Sequence, residues 1–317
     1  MRRWYAAVLL LLGLHVHQCA GEKGKQVPLV VVVEGWRWVS HSYAVVNSQH
    51  LVAMRRVLRD SNASHIKLYT RDVPFVMTGE RTAPSDKWAL ELQQIPLLPP
   101  SVHPDVVIRH HVPWDTMPAD PWWRGSMEEA KPTALVLVAT TETGIVPRAA
   151  NAGNVRTPYG VCWWVDVVAL IVVLQVPLPA SAVDMVVTPS KWSAQGFTTA
   201  GFPASRIHVI PHGVDTTWFF PVALKKRMHL RRELGWGNEV VILFVGAITK
   251  QKGVPLLLDA FCQLCNGTTC HDHNGGRVRL VLKGNEKLYH GESLMSRLLA
   301  DHAHHLAGPV EVKADVM

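Results

Sequence analysis

Val240 to Phe261 reads V-V-I-L-F-V-G-A-I-T-K-Q-K-G-V-P-L-L-L-D-A-F. Val240–Val245 is an unbroken apolar, β-branched run, the pattern of a strand buried on both faces. Gly246 ends the run, and a short loop carries Lys250 and Lys252 to Gly253. Beyond it Val254, Leu257, Leu258, Phe261 and Cys265 recur at helical spacing, which predicts a strand–loop–helix unit. Such a unit aims backbone N–H groups and the positive end of the helix dipole at the loop. Two lysines beside that end make a receptor for a phosphate or diphosphate. An ordinary strand–helix turn with solvated lysines fits the same residues, because loop lysines are commonly just solvated.

The segment upstream adds an order of elements. Val186 to Asp215 runs V-V-T-P-S-K-W-S-A-Q-G-F-T-T-A-G-F-P-A-S-R-I-H-V-I-P-H-G-V-D, followed by Phe219, Phe220 and Pro221 and a charged helix ending at Leu234-Gly235. Together these resemble retaining glycosyltransferases of the GT-B fold, the group 1 (family 4) class. There a "P-S-x-W/F" segment closes the first lobe, "I-x-V-I-P-x-G-V-D…F-P" crosses to the second, and "V-G…K-G…L-L-x-A-F" opens the donor site. Arg277–Gly284, R-V-R-L-V-L-K-G, with Tyr289-His290-Gly291-Glu292 after it, resembles the next strand and helix of one subgroup. The resemblance covers Val186–Leu299 closely and the first lobe more loosely.

The resemblance implies an α/β fold of two Rossmann-like lobes (GT-B type), the second incomplete. Residues 27–200 form the acceptor-side domain, with an atypical insertion at about 151–182, and 201–317 form part of a nucleotide-sugar-binding domain. The implied activity is hexosyl transfer, with anomeric retention, from a nucleotide sugar to a glycan, lipid or protein acceptor. Gly246, Lys250, Lys252, Gly253 and Lys283 then form the donor-binding set. Lys252 is the main diphosphate partner, Lys250 the next, and the Gly253 amide a third donor. Fixed cations of this kind oppose the negative charge that grows on a leaving phosphate. The family needs no bound metal and no cofactor beyond its nucleotide-sugar co-substrate. The family's paired glutamates, eight positions apart in the second lobe, have no counterpart in this chain. A noncatalytic glycan- or nucleotide-binding relative is therefore the alternative.

In the first lobe, Leu29–Val33 reads as a buried strand ending in a loop at Glu34-Gly35. A helix follows from Ser42 through Leu58, its buried face built from Tyr43, Val46, Met54, Val57 and Leu58. Gly35 lies at the carboxyl end of its strand, where α/β sheets bind ligands, and the resemblance puts an acceptor-facing cleft there; a plain turn glycine fits equally. Ile66–Thr70, Asp105–Arg109 and Ala134–Ala139 are further strands. His110 and His111 match an "R-H-x-x-P" pattern of the subgroup, whose histidine reaches donor sugar or acceptor hydroxyl. A hydrogen-bonded histidine at a strand end is the plainer reading. Thr140–Pro147 resembles a "W-E-Y/F-G-x-x-P" loop, which makes Glu142 a partner for a sugar hydroxyl. Within the insertion, a membrane-spanning helix would bury Asp166 at about 2.5–3.5 kcal/mol, so a buried helix or strand is expected.

Length and composition fit this picture. The 317 residues suit two lobes, and 48% hydrophobic with 18% charged content describes a globular chain. Net charge is +7 with a pI near 9.3, but the lysines and arginines are scattered without an aromatic-interleaved stripe, so no nucleic acid partner is expected. Arg2 and Arg3 precede an apolar core from Trp4 to Leu14, with Ala20-Gly21 at a cleavage point. This predicts a signal peptide over 1–20 or a short uncleaved anchor, the one expected membrane contact. Two sequons, Asn62-Ala63-Ser64 and Asn266-Gly267-Thr268, accord with the lumen of the endoplasmic reticulum or Golgi, or with secretion. Cys262, Cys265 and Cys270, near His271 and His273, read as inert thiols, a local disulfide or a zinc site.

Overall fold

The computed structural model describes residues 28–39, 41–73, 87–110, 134–141, 183–214, 216, 219–265, 270–271, 275–284, 291–301 and 310–314. The chain divides into two compact units, the first closing at Asp215 and the second running from Thr216.

The first unit holds β1 (Leu29–Gly35), β2 (Ile66–Asp72), β3 (Val106–His110), β4 (Ala134–Val138), β5 (Met185–Thr188) and β6 (Ile207–Val209). They form one sheet in the order β2-β1-β3-β4-β5-β6, every pair parallel. Its helices include α1 (Ser42–Asp60), α2 (Lys87–Gln93) and α3 (Lys191–Thr199). Alternate residues of the strands serve opposite layers. Val31, Val33, Val106, Ile108 and Val136 pack with Leu51 and Met54 of α1 and Leu92 of α2. Val32, Val107, Leu135, Leu137 and Val186 pack with Phe197 of α3. Helices on both faces explain why these strands read as unbroken apolar runs. Two boundaries move. Glu34 and Gly35 belong to β1 rather than to a loop, and β6, which a boundary at residue 200 gives to the second domain, pairs with β5.

The second unit carries a parallel sheet in the order β7-β8-β9, from β7 (Val240–Val245), β8 (Val278–Gly284) and β9 (Val310–Ala314). With it come α4 (Leu224–Glu233), α5 (Val254–Cys265) and α6 (Gly291–Asp301). Val254, Leu258 and Phe261 of α5 and Met295 and Leu298 of α6 pack on Val278, Leu280 and Leu282. β7 is not buried on both faces. Ile242 and Phe244 turn toward this core, whereas Leu243 and Val245 are 53% and 67% exposed, because α5 and α6 cover one side only. Continuous hydrophobicity exaggerated the burial of that strand.

Cys265 at the end of α5 forms a disulfide with Cys270, and Cys262 is a buried free thiol. Of the three readings open for this cluster the local disulfide is the one found. Among the described residues no group of three histidines, cysteines or acids is placed to hold a metal ion. Among them, too, no helix is long and apolar enough to cross a membrane. Residues 1–27, the insertion at 151–182, His111, Glu142 and the sequon at Asn266 lie outside the described residues.

Candidate functional site

Parallel pairing sends every strand of the first sheet the same way, so the carboxyl ends form one edge. The register sets Asp72, Gly35 and His110 side by side across β2, β1 and β3 on that edge. Gly35 is packed too closely for any side chain. A Cβ there would stand 2.8 Å from Asn47 Nδ2 and 3.0 Å from His110 Cβ. This close approach of α1 and β3, more than turn freedom, is what requires glycine.

Asn47 is fully buried in α1 beneath this point. Its Nδ2 donates to the Trp36 carbonyl at 3.0 Å, while its Oδ1 has no hydrogen-bond partner. One turn on, His50 Nδ1 lies 3.3 Å from His110 Nε2, and the rings meet edge-on at 4.8 Å. The His212 ring lies 6.2 Å from that of His50. Burial, with the neighbouring imidazoles second, lowers the His50 pKa to about 3 and that of His110 well below the ordinary histidine value. Burial also lowers His212. The pair is therefore neutral at pH 7: one ring donates the shared hydrogen bond and the other accepts it. His110 is only 2% exposed. In this arrangement it is a neutral hydrogen-bonding group held by His50, not a cation for phosphate and a poor proton acceptor near neutrality.

Charge is concentrated beside it. Glu34, 0% exposed, takes Arg109 Nη1 at 2.8 Å and Arg71 Nη1 at 2.6 Å, its register partners on β3 and β2. Arg37, just past β1, makes a two-pronged pair with Asp72 at 2.5 and 3.0 Å. Farther along the edge, Ser193 at the start of α3 accepts from the Thr141 amide at 2.9 Å and lies 2.6 Å from Thr188 Oγ1. This ties the end of β4 to α3 and fixes the backbone that leads into Glu142.

The second unit offers a separate candidate. The Gly246 amide donates to the Lys283 carbonyl at 3.0 Å, and Ile248, fully buried, anchors the loop after β7. The Lys252 amide is 3.3 Å from Thr249 Oγ1. Gly253, at φ +76°, donates its amide to the Lys250 carbonyl at 3.0 Å. The Gly253 amide is thus spent on closing the turn, which corrects its assignment as a phosphate donor. Lys250 and Lys252 both stand exposed, and Lys283 is half-buried at the end of β8. No carboxylate among the described residues forms an ion pair with any of the three. An open groove of about 860 Å³ between α4 and the start of β7 lies elsewhere, lined by Leu224, Arg227, Met228 and Glu239.

Gly284 also shapes this loop, although nothing but its place at a strand end marked it in the sequence. A Cβ there would overlap the Gly246 carbonyl oxygen and stand 2.9 Å from Ile248 Cγ1. A backbone oxygen cannot rotate away as a side chain does. Gly284→Ala is expected to cost about 1–3 kcal/mol and to displace the lysine loop. Urea unfolding followed by a probe in the second unit measures it; an unchanged midpoint would show that the loop has room.

No protein-family model matches the chain. A mannosylfructose-phosphate synthase from Agrobacterium fabrum is 39% identical over 64 residues, 20% of this chain. The chain spans only 14% of the length of that curated relative. Among solved structures, HepE from Anabaena in complex with UDP-glucose has a TM-score of 0.49 at 14% identity, covering 90% of this chain and 70% of that one. The catalytic domain of starch synthase IV from Arabidopsis thaliana, bound to ADP and acarbose, has a TM-score of 0.48 at 12% identity, covering 91% of this chain and 75% of that one. The short stretch of identity and the ordered motifs mark the chain as similar to GT-B glycosyltransferases of the group 1 class.

Proposed function

We propose that the chain handles a nucleotide sugar, gripping its diphosphate at the loop between β7 and α5, and transfers the sugar with retention to a glycan, lipid or protein acceptor. The observation that carries this reading is the pair of exposed lysines, Lys250 and Lys252, held at the carboxyl end of a parallel strand by a tight turn into a helix. Cations fixed there meet the charge that develops as the diphosphate leaves, and the loop needs no reorganisation to do so. The 64-residue match to a mannosylfructose-phosphate synthase supports chemistry on sugars. In the first unit, Asn47, His50 and His110 supply neutral hydrogen-bonding groups suited to hydroxyls rather than to phosphate.

Lys252→Ala is expected to weaken nucleoside diphosphate binding about ten- to a hundredfold, the worth of one charge-assisted hydrogen bond. The melting temperature should hold, since Lys252 is exposed. Unchanged affinity in a calorimetric titration would overturn the assignment.

One observation favours the noncatalytic alternative: His110 is buried with its Nε2 directed at His50. Both readings require diphosphate binding at Lys252. They separate on turnover, because only an enzyme releases free sugar or product from a nucleotide sugar.

A further inference from the structure

We propose that Asn62 is an N-glycosylation site, and that the chain matures in an oxidising lumenal compartment. Two independent observations converge. The first is local. Helix α1 ends with the Asn62 amide donating to the Arg59 carbonyl at 3.2 Å and the Ala63 amide to the Leu58 carbonyl at 3.0 Å. Asn62 itself has φ +52°. This is the paired hydrogen-bond ending that places a left-handed residue just past the helix, usually glycine and sometimes asparagine. The turn therefore accounts for asparagine at 62 but not for Ser64. Ser64 supplies the hydroxyl that the acceptor triplet requires. Both side chains are exposed, with no element packed over them.

The second observation lies in the other unit. The Cys265–Cys270 disulfide persists only where thiols are not kept reduced. Oxidising compartments of the secretory route are also where asparagine amides meet their glycosyl donor. The reaction needs one co-reactant, an oligosaccharide linked through a diphosphate to a lipid. The Asn62 amide nitrogen bonds to the anomeric carbon, the bond from that carbon to the diphosphate oxygen breaks, and the lipid diphosphate leaves. The displaced amide proton passes to a base of the transferring enzyme.

The topology also makes such a glycan compatible with function. β2 begins at Ile66, so Asn62 sits at the amino ends of the strands, where the Leu29 amide meets the His65 carbonyl. Gly35, His110 and Thr141 lie at the carboxyl ends. Seven residues of β2 separate the two edges by about 20 Å. The inference stands apart from the proposed sugar transfer, and either can fail without the other.

The test is expression of the full chain in a eukaryotic secretory host, followed by endoglycosidase release in heavy-oxygen water and peptide mass mapping. The expected result is Asn62 converted to labelled aspartate and a gel shift on glycosidase treatment. Ser64→Ala keeps the left-handed asparagine and should abolish the label at residue 62, as should Asn62→Gln. Comparing wild type with Ser64→Ala isolates this site from the sequon at Asn266. Unmodified Asn62 in recovered, disulfide-bonded chain overturns the proposal, as does a chain that never enters the lumen.

Discussion

Replacing Glu34 with glutamine is expected to remove about 3–5 kcal/mol of unfolding free energy, against a typical total of about 5–15 kcal/mol. Glu34 is completely enclosed, and the Arg109 side chain facing it is 3% exposed. Arg71, the other partner, is 23% exposed and can turn toward water. Glutamine keeps the volume, so no cavity contributes to the loss. What changes is that Arg109 keeps its charge in a place where water cannot reach it. The midpoint of urea denaturation reports the effect. A second variant separates this cause from general damage: Glu34→Gln combined with Arg109→Met should recover most of the loss, since an apolar replacement of a buried pair is often neutral. A single variant that loses less than about 1 kcal/mol would place the pair among ordinary surface ion pairs. Because Arg109 immediately precedes His110, and Glu34 immediately precedes Gly35, the same network also fixes the edge on which the candidate site lies.

The layout of the fold was legible because burial on two faces leaves a plain mark. Leu29–Val33, Val106–Ile108 and Ala134–Val138 contain little besides valine, isoleucine, leucine and alanine, and each proved to be a central parallel strand. β7 carried the same mark without the same burial. Hydrophobic content records what a surface is able to bury, and here Leu243 and Val245 are left facing outward. The polar core of the first unit left no mark. Asn47 and His50 sit in α1 among residues read as its solvent face, yet both are buried because the neighbouring positions on β1 and β3 are Gly35 and His110. Only the fold brings these four together. Glu34 was hidden for a related reason: a glutamate beside a glycine resembles a loop until two arginines on flanking strands come into register with it.

In the second unit the sequence carried the lysines but not the hydrogen bonds around them. Gly253 was legible as a positive-φ turn residue, and the structure keeps it so at +76°. Its amide could not be assigned without knowing that Lys250 folds back over it. Gly284 shows the same limit from the other side. The need for glycine there comes from a carbonyl 38 positions earlier in the chain, on the adjoining strand end. Contacts of that range have no local signature.

Stability should fall steadily as pH drops from about 6.5 toward 3, and the buried imidazoles set the sign. In the unfolded chain a histidine takes up a proton near pH 6.5. In the folded chain His50 does so only at about 3, and His110 is lowered as well, each held neutral first by burial and then by its imidazole neighbours. Between those limits the unfolded state binds more protons, so the folded state loses ground as acid is added. The stabilising contribution is present in full above the unfolded value. It fades through this window at about 1.4 kcal/mol per pH unit for each imidazole. For the two together the loss from pH 6.5 to 4.5 is about 5 kcal/mol, comparable to the whole stability of a modest domain. The rings share a hydrogen bond, so they titrate as a pair: a proton on one raises the cost of a proton on the other. Carboxylates held low by arginines, Glu91 by Arg56 and Glu239 by Arg279, contribute only as pH falls below the ordinary carboxylate range. The interval from 6.5 to 5 therefore isolates the histidines from these acids. Urea midpoints across that interval measure the slope, and replacing both His50 and His110 with glutamine should flatten it even if absolute stability drops. A wild-type slope near zero, or an unchanged slope in the double variant, would mean that water reaches this pair and that the edge beside Gly35 is open rather than sealed.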